Sequence, residues 1–296
     1  MHLNRQNSSA QISTVKISSE YEYKLIVINF SSDDKQKKEK RRNIIDQNLF
    51  SFFSDSLLEK FSIQREKKNK MAPTIRTIER YRGHQKYSVD FFGDDVVVTV
   101  TETPLVIRRW IQDVIFYHRR SRSRSRRPLL VGVGVYWTPA GYHSDSDDSP
   151  PASNYYPPAE TLQLCVGKRC IIIQLSYCNR VPLALRRFLT NPQTTFVGVW
   201  NPQDARRLER SRHQLEIGRL LDVKDYVRDS AGRSLSRRSF EEIVEECMGY
   251  PGVTVVQEIS MSDWGVDYLS LDQVLLASVD AYVSFKLGVR ARLWQV

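Results

Sequence analysis

Few side chains in this chain are of a type and spacing that can converge on chemistry. The four cysteines, Cys165, Cys170, Cys178 and Cys247, contain no CxxC pair. Cys165 and Cys170 stand five residues apart across a predicted hairpin with no histidine beside them, so a zinc site is not expected. So few cysteines suit a reducing compartment rather than a disulfide scaffold. The histidines (His2, His84, His118, His143, His213) are scattered, and none is partnered in sequence with a nucleophile. Gly132-x-Gly134 is a fragment of a dinucleotide fingerprint, but it lies inside a predicted strand and no third glycine opens a helix. Carboxylates are the oxygen ligands that hard divalent cations require. Asp145, Asp147 and Asp148 cluster in a predicted loop, where ligands are poorly preorganised, and Asp222 and Asp225 have no motif behind them.

The basic residues point to anions. Arg119–Arg127 alternates arginine with serine, and Arg122, Arg124 and Arg126 present forks suited to phosphate. A mobile loop of this kind binds without sequence readout and with strong salt dependence, and its serines offer phosphorylation sites that reverse its charge. Arg206, Arg207, Arg210 and Arg212 decorate one predicted helix, either lining a backbone-binding groove or forming a solvated face. With 44 Lys and Arg against 34 Asp and Glu, the 296-residue chain carries a formal charge of +10, which favours a polyanionic partner, most often nucleic acid. No apolar run approaches the ~20 residues of a membrane-spanning helix. The N-terminus has no apolar block of a secretory signal, so nucleus or cytoplasm is the expected location.

The elements that must position these residues begin after a different N-terminal region. Residues 1–70 hold a charged cluster (Lys35, Lys37, Lys38, Lys40, Arg41, Arg42), an apolar patch at Leu49–Phe53 and a second basic run, with no Gly or Pro. They read as a disordered basic tail or as an upstream extension before a natural start at Met71; Lys37–Arg42 also matches a nuclear-localisation patch. One domain is expected over 85–292. Tyr87, Val89 and Phe91, then Val96, Val98 and Val100, alternate about Gly93-Asp94 as a hairpin. Pro104 opens a helix with Val106, Trp110, Val114 and Tyr117 at core spacing. Leu129–Trp137 is so continuously apolar that it is expected to be a central strand. Leu162–Val166 and Arg169–Leu175 form a second hairpin, Thr195–Val199 a short strand, Pro202–His213 a helix, Gly218–Val223 an extended piece, and Ser239–Met248 and Leu271–Gly288 helices. Hairpins followed by strand–helix alternation predict an α/β or α+β domain with a mixed sheet.

Three segments together resemble the DEDD-type 3′–5′ exonuclease family, especially plant proteins similar to the exonuclease domain of the Werner syndrome protein. They are Leu130-Val131-Gly132-Val133-Gly134-Val135-Tyr136-Trp137; Thr161–Val166 with Phe196–Val199, Asp204 and Arg207-Leu208; and Ser262-Asp263-Trp264 with Leu269-Ser270, Asp272–Val274 and Asp280-Ala281-Tyr282. The resemblance runs from about Met71 to Gly288. It implies a ribonuclease H-like fold, a central mixed β-sheet flanked by helices. It also implies four carboxylates that hold two Mg²⁺ or Mn²⁺ ions ~4 Å apart for phosphodiester hydrolysis, and a tyrosine that orients the attacking water. This sequence departs from that pattern. Gly134 stands at the aspartate that bridges both metals, Tyr136 at the glutamate and Leu276 at the tyrosine; Asp204 and Asp280 remain. The resemblance thus implies a nucleic-acid (DNA or RNA) partner and inherited 3′–5′ trimming. The substitutions imply impaired catalysis, with tight metal binding not expected. The alternatives are an active enzyme with a non-standard site and a scaffold pairing with an active homologous exonuclease.

Overall fold

The computed structural model describes residues 13–14, 24–25, 72–121, 128–139, 157–199 and 201–296. In the N-terminal unit, Ser13–Thr14 (β1) pairs antiparallel with Lys24–Leu25 (β2).

The second unit is organised by an eight-stranded mixed sheet in the order β10-β9-β6-β7-β8-β5-β4-β3. Its strands are β3 (Thr74–Tyr81), β4 (His84–Phe91), β5 (Asp94–Thr101), β6 (Leu129–Tyr136), β7 (Thr161–Val166), β8 (Arg169–Gln174), β9 (Thr194–Gly198) and β10 (Leu220–Asp222). β6 runs parallel to β9 and antiparallel to β7, and all eight of its residues are buried, as its unbroken apolar sequence requires. β9 and β10 continue in parallel, while β7 and β8 close an antiparallel hairpin. The five strands β8-β7-β6-β9-β10, with β7 reversed, give the ribonuclease H-like arrangement, and the β3–β5 meander extends it through the parallel β5–β8 pairing.

Alternation along β6 sends its side chains to opposite faces. Val131, Val133 and Val135 join a core built with helices α1 (Pro104–Ser121), α2 (Leu183–Leu189) and α3 (Asp204–Arg210). Leu130 and Tyr136 join a second core under α4 (Phe240–Met248) and α6 (Leu271–Arg290), which the short α5 (Gln257–Ser260) precedes. Ser270 caps α6, its Oγ accepting from Gln273 N while Gln273 Oε1 accepts from Ser270 N, a reciprocal box that fixes where the helix starts. Among the described residues, no helix is long and apolar enough to cross a membrane.

Four expectations need correction. β3 was not predicted, and the sheet starts at Thr74 rather than 85; TIRTIERY is an exposed edge strand whose charged residues hide the strand period. In α1 Trp110 and Val114 are buried as expected, but Ile107 and Ile111 complete the stripe in place of Val106, which is half-buried, and Tyr117, which lies exposed. α1 also continues through Arg119 and Arg120 to Ser121, where a loop was expected. α3 is shorter than Pro202–His213 because Ser211 turns extended (φ −60°, ψ 157°) with its Oγ bonded to Leu208 O.

Candidate functional site

Asp204 and Asp280 come from different helices and meet at the end of β6. Asp204 opens α3 and is buried, while Asp280 projects from the middle of α6, partly shielded from solvent. Between them lies the face of β6 that carries Gly134 and Tyr136. A Cβ placed on Gly134 would stand 3.0 Å from Asp280 Oδ2 and 3.0 Å from Gln163 Oε1. Position 134 is therefore aimed directly at the surviving carboxylate, as the first-strand aspartate of the resemblance would be.

Tyr136 reaches the same carboxylate. Its phenol donates to Asp280, and its ring stacks on Trp264 with centroids 4.1 Å apart at 19°. Trp264 is held in turn: its backbone N donates to Thr138 Oγ1 (3.0 Å), and its Nε1 donates to Ser260 O (3.1 Å). Asp263 Oδ1 accepts from Thr138 Oγ1 and Gly265 N, and Gln273 Nε2 donates to Asp263 O. The Ser262-Asp263-Trp264 segment therefore locks the loop before α6 onto the end of β6, seating Tyr136 where the resemblance calls for a glutamate.

The electrostatics follow from crowding two acids in a poorly hydrated place. Burial pushes Asp204 up to about 8, the charge of Asp280 and then that of Asp222 adding to the rise while Arg207 opposes it. Burial likewise pushes Asp280 up to about 7, the Tyr136 phenol counteracting in part. Tyr136 itself is raised well above its ordinary value by burial and then by the two aspartates. Near neutrality these acids are substantially protonated.

Sequence reasoning missed Gln163. Its side chain is fully buried; Nε2 donates to Thr161 Oγ1 at 2.7 Å, and Oε1 has no hydrogen-bond partner. Its register opposite Gly134 was the available signal, legible only once β6 and β7 are paired. Asp222, weighed without a motif, lies close enough to influence Asp204 and is ion-paired with Lys224 at 3.2 Å, whereas Asp225 is exposed. Leu276, one helical turn before Asp280, is buried in the apolar core. Arg207 departs from the expected groove. It is buried, its guanidinium 3.5 Å over the Trp137 ring and donating to Pro157 O and Gln203 Oε1, because α3 turns that position toward the sheet. Arg206 remains exposed. Arg122, Arg124, Arg126 and the Asp145–Asp148 acids lie outside the described residues. Cys165 and Cys170 face each other in the β7–β8 register as buried free thiols.

A pair of Mg²⁺ or Mn²⁺ ions does not fit this donor set. Position 134, where the resemblance places the aspartate shared by both ions, has no side chain, and Asp280 already accepts the Tyr136 phenol hydrogen bond. Among the described residues no three His, Cys, Asp or Glu side chains stand where they would hold a metal ion.

A 3′–5′ exonuclease family model matches residues 150–295, a span that contains Asp204, Leu276 and Asp280. A curated 3′–5′ exonuclease of Drosophila grimshawi is 28% identical over 133 residues, covering 42% of this chain and 39% of the relative. The match thus spans about two fifths of the curated relative's length. Among solved structures, Escherichia coli RNase D is similar at 19% identity and a TM-score of 0.46, covering 66% of this chain and 44% of that one. The Aedes aegypti Nibbler EXO domain is similar at 12% identity and a TM-score of 0.48, covering 66% and 87%.

Proposed function

Because this chain belongs to the DEDD-type 3′–5′ exonuclease family, whose members use divalent metals, we propose that it is a nucleic-acid-binding member that has given up metal-dependent hydrolysis. The observation that carries this is position 134: its Cα faces Asp280, yet it supplies no carboxylate. The neighbouring Tyr136 phenol spends its hydrogen bond on Asp280 itself. Hard divalent ions need several oxygen ligands in a preformed cage, and an orphaned amide oxygen at Gln163 does not replace an anion shared between two metals. The net charge of +10 supports retention of a phosphate-rich partner, DNA or RNA, in the nucleus or cytoplasm.

In this reading the residues hold structure rather than move a reacting proton. Tyr136 and Trp264 fill the space by stacking, Asp280 anchors the phenol, and Asp204 starts α3 with its carboxyl turned inward.

The test compares the full natural chain with the triple variant Gly134→Asp/Tyr136→Glu/Leu276→Tyr, each checked for fold by circular dichroism. Both are titrated calorimetrically with Mn²⁺ and incubated with labelled single-stranded RNA and a 3′-recessed duplex. The natural chain is expected to leave 3′ ends intact while the triple variant gains metal binding. Degradation by the natural chain that is abolished in Asp204→Ala would refute the loss of hydrolysis.

A further inference from the structure

The outer face of α1 lies across the sheet from the site above. Its inner stripe (Ile107, Trp110, Ile111, Val114) packs into the core shared with Val131 and Val133, whereas Gly134 and Tyr136 face α6. Helical spacing therefore turns Arg108, Arg109, Phe116, Arg119 and Arg120 to solvent together, with Tyr117 beside them; all six are exposed. α1 carries one acidic residue, Asp113, against these four arginines and His118. Arginines in the last turn complement the helix dipole, but Arg108 and Arg109, near the opposite end, gain nothing from it. Among the described residues none of the four arginines is ion-paired. Around α4 and α6, by contrast, Arg233, Arg238 and Lys286 each hold a carboxylate.

Two aromatic rings interrupt this charge. Phe116 and Tyr117 are 57% and 51% exposed and meet edge to face with centroids 5.6 Å apart. The Arg169 guanidinium, from β8, lies 4.3 Å over the Tyr117 ring, adding a fifth cation and fixing that ring in place. Exposed large aromatics cost free energy in water unless something covers them. Cations interleaved with aromatic faces are the combination that holds a single strand, arginine taking phosphates and rings taking unpaired bases.

We propose that the outer face of α1 is a single-stranded nucleic-acid platform, on the opposite side of the sheet from the Asp204–Asp280 site. It rests on the nucleic-acid part of the reading above and gives that partner a surface free of the buried acids. A strand lying there meets neither Asp204 nor Asp280, so its binding needs no divalent metal.

The experiment uses the full chain and fluorescence anisotropy of a labelled oligothymidylate of about 15 nucleotides, in EDTA, with salt stepped from about 50 to about 200 mM. The charge reversal R108E/R109E/R119E/R120E is expected to weaken binding at least about tenfold at low salt. It should also lower the slope of log affinity against log salt by about 3, since each lost single-strand contact removes ~0.7. F116A/Y117A is expected to weaken binding about fivefold or more with the slope unchanged, because stacking releases no counterions. If the natural chain binds and the charge reversal changes neither affinity nor slope, the platform is overturned while the nucleic-acid reading stands. If the charge reversal instead abolishes only binding to anionic phosphatidylserine vesicles, the platform is overturned in favour of a membrane-surface helix. If the natural chain does not bind the oligonucleotide at any salt, both readings fall.

Discussion

Replacing Gly132 by alanine is expected to loosen the seat of Asp280. A Cβ at Gly132 would lie 2.0 Å from the carbonyl oxygen of Ala281 and 2.7 Å from the backbone N of Phe285. Ordinary contact begins near 3.4 Å, so α6 must retreat by about 1.4 Å. The obstructing atoms are helix backbone and cannot swing aside as a side-chain tip would. Overpacking a core costs about 1 to 3 kcal/mol, and a clash against backbone belongs at or above the top of that range. For a domain of this size about 3 kcal/mol lowers the melting temperature by ~6 to 12 °C. Gly134→Ala is the internal control. Its Cβ meets only the side-chain ends of Asp280 and Gln163, at 3.0 Å, so a shift of about 0.4 Å suffices. The lower chain entropy of alanine when unfolded, worth ~0.4 to 1 kcal/mol, offsets much of that. Urea unfolding followed by tryptophan fluorescence measures both. Equal midpoints for the two variants, or a Gly132→Ala midpoint indistinguishable from the natural one, would refute the close approach of α6 to β6.

Two further outcomes follow from titrating groups. Asp204 and Asp280 have folded values raised to about 8 and about 7. Their contribution is therefore fully present below the ordinary 3.8 and is lost as pH rises through about 7 to about 8, so the fold should be less stable at about pH 9 than at about pH 5. A carboxyl moved from 3.8 to about 8 sets an upper bound of about 6 kcal/mol, reduced to a few by residual hydration and by the repulsion the two acids share; Asp204→Asn should flatten the profile in denaturant titrations across pH. Asp94 behaves oppositely. Burial alone would raise it, but the Tyr282 phenol at 2.6 Å, Lys168 at 2.9 Å and Lys286 at 3.2 Å hold it at about 2. Its contribution is present above 3.8 and is lost as pH falls through about 2, so Asp94→Asn should cost about 1 to 2 kcal/mol at neutral pH and nearly nothing at about pH 2.

Much of the sheet was legible because its strands are strongly patterned. β6 declared itself central by an unbroken apolar run, and the β4–β5 and β7–β8 hairpins by alternation about Gly93-Asp94 and Gly167-Lys168. Edge strand β3 was not legible, since all of its side chains but the half-buried Ile75 stay exposed and no period results. In α1 the expected Trp110 and Val114 are buried, but Ile107 and Ile111 were passed over for Val106 and Tyr117, because apolar residues flank the stripe on both sides and the choice among them belongs to the sheet they pack on. Arg207 was misplaced for a related reason. A sequence cannot say that an arginine will turn inward when a tryptophan face and two carbonyl-type acceptors await it.

The residue types at the site are a property of the sequence alone: no carboxylate stands at 134, 136 or 276, and two remain at 204 and 280. What those absences do was decided by tertiary structure. Only the packing of α6 across β6 brings Asp280 opposite Gly134 and gives its carboxyl to the Tyr136 phenol. Only burial in the assembled fold raises both aspartates. Residue identity is local and is written in the chain, whereas solvation and proximity depend on atoms far away in sequence, and those come together only once the sheet and its helices have assembled.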